Sequence, residues 1–287
     1  MSWSNFHGHC HYCDGSGTVR DHVEAALNLG FHSLAITCHG PLPFDNEWCM
    51  KAGDLASYRH EFGEQQKRYG DRIELYYGYE SDYIPGISDL NSDYLRQYPP
   101  DFTLCSVHFV EQFPEGRPWE IDGSHETFSK GLRIIFGDDL QRCIKRYFEL
   151  TREMVQYSCP DVIGHLDKIK MQNTGGTSWN LDAPWYREEI METLTLIREK
   201  GAIIEINTRG LYTKRARETY PGVWTLRRIL EMGIPVCLNS DSHNPSELAL
   251  DFESTAEVLA EIGFRELHTL RGGHWQALPF DRNGFPE

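Results

Sequence analysis

Six strand-like runs of this chain each end in a residue that can bind a metal ion, and helical patterns separate most of them. The run ends are His7-Gly8-His9, Thr37-Cys38-His39, Gly78-Tyr79-Glu80, Ser106-Val107-His108, Gly164-His165 and Asp241-Ser242-His243. Alternation of short strands and helices is typical of parallel strands wrapped by helices. In a parallel barrel the carboxyl ends of all strands converge on one face. The sequence therefore predicts that these residues meet at one site.

The succession of strand and helix patterns indicates the fold class. Candidate strands cover residues 4–9, 33–37, 73–79, 102–107, 162–164, 202–206 and 235–239. Candidate helices cover residues 18–29, 54–69, 87–98, 138–157, 184–200 and 224–232. A helix over residues 254–262, a short strand over 266–270 and a tail over 278–287 are predicted to follow. About seven βα units fit one barrel better than two domains, so we expect an α/β protein with a single barrel domain over residues 1–287.

Residues 109–137 interrupt this alternation. The segment is rich in Gly, Pro, Glu and aromatic residues, and it is too long for a plain connection between a strand and a helix. Long insertions of this kind often serve as lids over functional sites. We therefore predict an insertion over the site, with a surface excursion of no functional role as the alternative.

Composition limits the partners and the compartment. A net charge of −15 and a pI near 5.3 oppose a sequence-independent grip on nucleic acid, which requires a basic surface. No apolar run approaches the roughly 20 residues of a membrane helix, and the first residues lack a secretory pattern. The eight cysteines lie mostly in strand or helix patterns, as buried thiols of a reducing compartment do. We expect a cytoplasmic monomer or small homo-oligomer that binds neither nucleic acid nor membrane.

The paired residues at the two ends of the chain indicate the chemistry. Because alternate side chains of a strand face the same side, His7 projects with His9, and Asp241 projects with His243. Imidazole and carboxylate ligands together suit zinc, manganese or iron, and a carboxylate can bridge two ions. A lone histidine carries little weight, but agreement among six strand ends predicts a polynuclear metal site.

The loop after the first strand offers two alternative ligands. Asp14 precedes Gly15 and can fold back to the site, although Asp before Gly is also common in plain turns. His11 alternates with His9 and competes with Asp14, so the residues themselves leave both open. The other histidines lie in helical, loop or C-terminal sequence and are predicted to bind no metal: His22, His32, His60, His125, His268 and His274.

Taken in order, the motifs resemble those of a known family. The matching segments are His7-Gly8-His9, Asp14-Gly15, Thr37-Cys38-His39, Gly78-Tyr79-Glu80, Ser106-Val107-His108, Gly164-His165-Leu166-Asp167 and Ser240-Asp241-Ser242-His243. They resemble the PHP (polymerase and histidinol phosphatase) family, in its histidinol-phosphatase branch. The resemblance implies a distorted barrel of about seven βα units with three divalent ions, Zn, Mn or Fe. It also implies hydrolysis of L-histidinol phosphate in L-histidine biosynthesis.

The resemblance also assigns ligands by position. One ion is assigned to His7, His9, Glu80 and Asp241, a second to Glu80, His108 and His165, and the third to Asp14, His39 and His243. Some family members carry His where Asp14 stands, and Asp14 is preferred to His11 by motif position alone.

A mechanism follows from this ligand set. A water molecule between two cations, bridged by Glu80, loses a proton near neutral pH and attacks the phosphate. The departing alkoxide needs a proton, and the candidate general acids are His243 and Asp241. Glu80, Asp241 and His243 are therefore the predicted catalytic residues.

Three further residues are predicted to bind the substrate. Arg209 follows a strand end and suits bidentate phosphate binding, with Asn207 as a residue that orients it. Lys170 stands where similar phosphatases carry a basic residue, although a solvated loop lysine is the alternative. Glu111, early in the 109–137 segment, is proposed for the ammonium group of an amino alcohol without a motif behind it. The nearby cluster of Lys214, Arg215 and Arg217 is predicted to be a solvated face.

Other functions remain as alternatives. Another small phosphomonoester, or a phosphodiester such as a nucleic-acid end, would use the same metals, but the acidic composition opposes a polymer. An amidohydrolase also begins with His-x-His on a barrel, but it normally needs a bridging Lys where this chain has Glu80 or His108. A metal-loaded scaffold without catalysis predicts lost ligands, and none of the motif ligands is missing.

Overall fold

The computed structural model describes residues 2–286 of the chain. Its strands are β1 (Ser4–Asn5), β2 (Ser33–Ile36), β3 (Glu74–Tyr77), β4 (Glu80–Asp82), β5 (Leu104–Ser106), β6 (Phe109–Gln112), β7 (Pro118–Glu120), β8 (Val162–Ile163), β9 (Ile203–Asn207), β10 (Val236–Asn239), β11 (Glu266–Arg271) and β12 (His274–Pro279). Its α-helices are α1 (Val19–Asn28), α2 (Leu55–Tyr69), α3 (Asp93–Gln97), α4 (His125–Phe136), α5 (Leu140–Ser158), α6 (Pro184–Lys200), α7 (Arg209–Tyr212), α8 (Val223–Met232) and α9 (Phe252–Ile262). Short 3-10 helices cover Ala52–Asp54, Lys168–Gln172, Thr174–Gly176 and Pro245–Glu247.

Two parallel sheets form the body of the protein. One has the strand order β1-β2-β3, and the other has the order β10-β9-β8-β5-β4. Parallel bridges join the sheets at both sides, one between Gly8 and Ser242 and one between His39 and Glu80. The strands therefore follow one another in a ring, with helices in most of the connections. The α/β class with parallel sheets, predicted from the sequence, is confirmed.

A small apolar cluster lies inside this ring, away from the motif residues. Its members come from or next to most of the ring strands and from the C-terminal hairpin: Phe6, Ala35, Tyr76, Phe102, Leu104, Val162, Ile203, Cys237 and Leu270. The hairpin β11-β12 covers the cluster through Trp275, whose ring centroid is 5.1 Å from that of Phe6 and 5.7 Å from that of Phe102. The motif residues follow the strands, so they lie at the opposite, carboxyl ends. Apolar packing at one end thus leaves the other end free for a polar site.

The end of the chain differs from the predicted tail over 278–287. Strand β12 extends to Pro279, and Phe285 forms an antiparallel bridge with Ser2 through hydrogen bonds of 3.1 and 2.8 Å. The Phe285 ring is buried and packs edge-on against Trp3 at 5.9 Å. The tail prediction is wrong for the described part of this range, because its apolar residues contribute to the core.

Most predicted helices form within a few residues of their expected limits, and their ends carry recognisable caps. Thr18 and Asp21 form a reciprocal capping box at the start of α1. The helix predicted over 87–98 is largely absent, since only α3 forms there. Its first half is a turn in which the Asp89 carboxylate accepts the amide of Asn91 at 2.7 Å. Such local bonds compete with helix formation.

Residues 109–137 fold into the antiparallel hairpin β6-β7 and helix α4. Ser124 caps α4 through its side chain, which accepts the amide of Thr127 at 3.1 Å. Trp119 is buried between Phe128 and Phe136, with ring centroids 5.2 and 5.9 Å away. This segment therefore has a small core of its own, and it brings Glu120 and Asp122 to the polar face of the ring.

All eight cysteines are free thiols. None of the helices within residues 2–286 is long and apolar enough to cross a membrane.

Candidate metal centre

Glu80 is the central residue of the polar site. Its Oε2 lies 3.1 Å from His7 Nε2, 3.1 Å from His39 Nδ1 and 3.5 Å from His9 Nε2. Its Oε1 faces the other way and lies 2.8 Å from His165 Nε2. The two oxygens of one buried carboxylate thus face two sets of imidazoles, as a bridging ligand requires.

The remaining motif residues complete three clusters whose ligand atoms lie within 4.8 Å of one another. The clusters are His7, His9 and Asp241; His39, Glu80 and His108; and His9, Asp14, His39 and His243. Within them, Asp241 Oδ1 is 3.2 Å from His9 Nε2, and Asp14 Oδ2 is 3.2 Å from His243 Nε2. The predicted ligands therefore meet at one place, but their grouping differs from the prediction. His9 and His39 each belong to two clusters and Glu80 to one, while His165 belongs to none of the three and lies 2.8 Å from Glu80 Oε1.

The loop after β1 brings Asp14 to the site and leaves His11 outside it. Gly15 packs so closely that an added Cβ would lie 2.4 Å from the His9 carbonyl carbon. Ser16 then donates its amide to the His243 carbonyl oxygen at 2.7 Å. His11 is exposed, and its ring donates from Nδ1 to the Gly17 carbonyl at 3.2 Å and lies 3.7 Å from Glu61, away from the ligand clusters. Close backbone packing at a glycine thus places Asp14, and not His11, beside the other predicted ligands.

A second glycine positions the Glu80 carboxylate. A Cβ on Gly164 would lie 2.1 Å from Ser106 Oγ, so only glycine leaves room for that hydroxyl. Ser106 Oγ donates to Glu80 Oε1 at 2.6 Å. Gly164 therefore leaves space for the Ser106 hydroxyl that holds the Glu80 carboxylate, and the next residue, His165, supplies an imidazole.

Further carboxylates fix the orientation of two histidines. Glu205 Oε1 lies 2.6 Å from His7 Nδ1, and Asp82 Oδ1 lies 2.7 Å from His108 Nδ1. Each leaves Nε2 directed at the cluster. Carboxylates behind metal-binding histidines commonly fix the tautomer in this way. Asn239 donates to Glu205 at 3.0 Å and keeps it in place.

Sequence reasoning did not assign these two carboxylates a role, although a signal was present. Glu205 is a charged residue in the middle of the buried strand β9, where a carboxylate without a partner would be costly. Asp82 follows Glu80 by two residues on β4, and alternate residues of a strand face the same side.

Burial and opposite charge compete within the cluster. Burial alone would raise the pKa of the Glu80 carboxyl, but the surrounding imidazoles, His7 and His39 foremost, outweigh it and hold that pKa well below its ordinary value. Burial would also raise the pKa of Asp241. The charge of His7 and a hydrogen bond with His9 outweigh burial and hold this pKa well below its ordinary value. Both carboxyls are therefore anionic at neutral pH, as metal ligands must be.

The histidines divide according to their neighbours. Burial lowers the pKa of both His9 and His39 well below the ordinary value, which favours the neutral form that binds metals. Burial would lower the pKa of His108 too, but Asp82 and Glu80 outweigh it and raise the pKa to about 9. A metal that binds His108 would therefore have to displace a proton.

Buried atoms without hydrogen-bond partners test whether metal ions fit here. Within the described residues, these atoms include His7 Nε2, His9 Nε2, His39 Nδ1 and Glu80 Oε2. Buried polar atoms are costly when unpaired, and four of them converge at this one place. A divalent cation among them would satisfy all four. The donor set of imidazoles and carboxylates suits such an ion, so the residues fit a metal centre.

A cavity of about 200 Å³ opens beside the centre. Its wall includes Asp14, His39 and His243 from the cluster and Arg209 from the start of α7. Arg209 donates from Nη1 to the Asp241 carbonyl at 3.0 Å, and its backbone amide donates to Asn207 Oδ1 at 2.9 Å. The predicted phosphate-binding arginine thus lies beside the ligands.

The other two predicted substrate residues are not brought to this cavity. Lys170 Nζ donates to Asp167 at 3.0 Å and to the Thr219 carbonyl at 2.6 Å, so it holds two loops together. Glu111 is exposed and forms an ion pair with Arg146 at 2.9 Å. Neither residue lines the cavity wall.

Lys168 lies where Lys170 was expected. Its amide donates to the His165 carbonyl at 2.9 Å, and this hydrogen bond closes a tight turn. Residues three apart in such a turn lie on the same side. Lys168 Nζ is 3.3 Å from His108 Nε2, 3.4 Å from His165 Nε2 and 2.7 Å from Asp122 Oδ2. A lysine two positions further along faces away from the centre.

The 109–137 segment is tied to the cavity wall. Asp122 forms the ion pair with Lys168, and Arg215 donates to the carbonyl oxygens of Asp122 and Gly123 at 3.2 Å each. Gln172 donates to the carbonyl of Ile121 at 2.6 Å. Arg215 also lines the cavity, so it does more than belong to the solvated face predicted from helical spacing.

The chain is similar in sequence and in fold to known proteins. The family model described as PHP domain matches residues 5–209. A probable histidinol-phosphatase of Deinococcus radiodurans is 28% identical over 263 residues, covering 90% of this chain and 93% of that protein. The histidinol-phosphatase of Bacillus subtilis is 25% identical over 272 residues, covering 87% of this chain and 97% of that protein.

A solved structure supports the fold. The crystal structure of histidinol phosphate phosphatase from Lactococcus lactis, complexed with zinc, L-histidinol and phosphate, superposes with a TM-score of 0.69. It is 20% identical and covers 96% of this chain and 99% of that chain.

Proposed function

This chain belongs to the PHP domain family, and on that premise we propose that it hydrolyses L-histidinol phosphate to L-histidinol and phosphate in L-histidine biosynthesis. The observation that carries the proposal is the arrangement of three ligand clusters beside a cavity whose wall also includes three cationic side chains, Lys168, Arg209 and Arg215. Relatives that align over nearly their whole length are named histidinol-phosphatases, which supports the same substrate.

We propose three divalent ions for the three clusters, with zinc, manganese and iron as the candidates. Such ions supply Lewis-acid charge for the phosphate oxygens and for activation of a water nucleophile. Glu80 belongs to one cluster and lies within 3.5 Å of His7 and His9 of another, so it would hold an ion at each. Glu205 and Asp82 keep His7 and His108 turned toward these sites. The segment 109–137 is proposed as an insertion that walls the site within a single domain. The cytoplasmic location, the oligomeric state and the absence of nucleic-acid and membrane partners remain predictions.

The other roles fall to residues that line the cavity. Arg209 and Lys168 bind the phosphate oxygens, since cationic donors beside a metal centre suit a dianion. His243 is the better candidate for the general acid, because it lines the cavity whereas Asp241 lies behind it. Its Nε2 lies 3.2 Å from Asp14. In this role His243 would carry a proton on Nε2 while that atom is not bound to the third ion, and the leaving alkoxide oxygen would take that proton.

Phosphate release from L-histidinol phosphate tests the proposal directly. The purified protein loaded with each candidate metal is expected to release phosphate, and a chelator is expected to abolish the release until metal is restored. Colorimetric phosphate measurement with and without chelator checks both parts. Turnover of an unrelated small monoester, with none of histidinol phosphate, would contradict the substrate and leave the reaction class standing.

Replacement of Arg209 is expected to weaken substrate binding. Arg209→Ala should raise KM about tenfold, because a charge-assisted hydrogen bond to a phosphate oxygen is lost. The matched control is Arg227→Ala, on helix α8 and outside the cavity wall. Steady-state kinetics on the two variants measure the effect. Unchanged kinetics for Arg209→Ala would remove this residue from the substrate site.

A further inference from the structure

Three carboxylates line the cavity, and they differ in their partners. Asp14 lies 3.2 Å from His243, and Asp122 lies 2.7 Å from Lys168. Within residues 2–286, Glu120 has no basic side chain within 4.0 Å, and its one side-chain hydrogen bond comes from Trp48 Nε1 at 2.7 Å. Glu120 is therefore the carboxylate of this cavity whose charge the protein itself does not compensate.

The side chain of Trp48 lies between Glu120 and two residues of the metal centre. Trp48 packs edge-on against His39 and against His108, with ring centroids 4.4 and 5.4 Å away. The indole N–H of Trp48 donates to Glu120 Oε2 and so holds this carboxylate at the cavity wall beside those ligands. A molecule with its anionic group at the ions would thus have its neighbouring groups in the same small cavity as Glu120.

The proposed substrate has charges that match this arrangement. In an amino-alcohol phosphate the ammonium group lies on the carbon next to the one that carries the phosphate ester. Cations beside the ligands suit the phosphate, and a single uncompensated carboxylate on the wall of the same cavity suits an ammonium one carbon away from the ester. The aromatic ring of Trp48 beside the carboxylate offers a further favourable surface for a cation.

Resting on the proposed function, we propose that Glu120 is the specificity-determining residue that binds the ammonium group of the substrate. It takes the role that the sequence assigned to Glu111, which the structure pairs with Arg146 outside the cavity. The 109–137 segment then contributes to substrate selection through strand β7, which positions Glu120 opposite the start of β6.

The variant Glu120→Gln isolates the charge, because the amide oxygen still accepts the hydrogen bond from Trp48. The measurement is kcat/KM on paired substrates, a cationic amino-alcohol phosphate and its neutral analogue: L-histidinol phosphate against its deaminated counterpart, and ethanolamine phosphate against ethyl phosphate. We expect a loss of about tenfold on the cationic member of each pair and less than twofold on the neutral member. Glu111→Gln is the matched control and should change neither value.

The outcomes separate this inference from the proposed function. An equal loss on both members of a pair, or no loss on either, would overturn the role of Glu120. A wild-type enzyme that ignores L-histidinol phosphate but hydrolyses ethanolamine phosphate would overturn the proposed substrate, and the second pair would still test Glu120. An effect of Glu111→Gln restricted to cationic substrates would return the role to the residue first predicted.

Discussion

Glu80→Gln is expected to lower kcat by about a thousandfold or more and to reduce the metal content of the purified protein. The reason is position: one buried carboxylate lies within 3.5 Å of ligand atoms of five histidines, His7, His9, His39, His108 and His165. A neutral amide there cannot balance two cations, and the charge stabilisation at stake is several kcal/mol. Elemental analysis and steady-state kinetics measure the two effects.

The control for this prediction removes a carboxylate elsewhere. Glu64→Gln on helix α2 breaks only an exposed ion pair with Lys67, so activity and metal content should match the wild type. Circular dichroism on both variants establishes that the fold is retained. A Glu80→Gln protein with full metal content and full activity would contradict the bridging role.

The strand ends could be predicted from sequence because two simple rules coincide there. Side chains two apart on a strand share a face, and parallel strands of one sheet end at the same edge. Those rules predict that His7, His9, Asp241 and His243 lie together, and in the structure the bridge between Gly8 and Ser242 joins the two sheets at this point. Binary patterns likewise located most helices, since each buries one apolar face.

Loop geometry could not be predicted in the same way. The choice between Lys168 and Lys170 depends on a tight turn after His165, whose phase no hydrophobic pattern reports. The segment 109–137 lacked a clear period because its hairpin is short and its core rests on one aromatic cluster around Trp119. The acidic residue at the cavity consequently differs from the one first chosen.

The buried carboxylate of Glu205 shows which part of a pairing the sequence can indicate. Glu205 could have been suspected from sequence, since a charged residue inside an apolar strand must find a buried partner. Its partner, His7, lies 198 positions earlier in the chain, so the pairing itself needed the ring of strands. Sequence thus indicates that a buried charge requires a partner, and topology decides which residue that partner is.

Lys168→Gln is expected to lower kcat/KM for the phosphomonoester by about a hundredfold or more. Only 8% of Lys168 is exposed, and its ammonium lies between Asp122 and the Nε2 atoms of His108 and His165. Donors fixed beside a reacting phosphate in a site with little water stabilise its charge far more than exposed ones do, and removal of one costs about 100- to 1,000-fold. Glutamine removes the charge and keeps an N–H donor on a side chain that is one bond shorter.

A second measurement distinguishes phosphate binding by Lys168 from a purely structural role of this residue. Inorganic phosphate should bind the metal-loaded variant at least tenfold more weakly by calorimetry, while its metal content stays at the wild-type level. Lys67→Gln, on the exposed face of α2, is the matched control and should alter neither value. Loss of metal with unchanged phosphate affinity would mean that Lys168 supports the ligands instead. The distinction matters because Lys168 contacts both His108 and His165, so activity alone cannot tell substrate binding from maintenance of the metal centre.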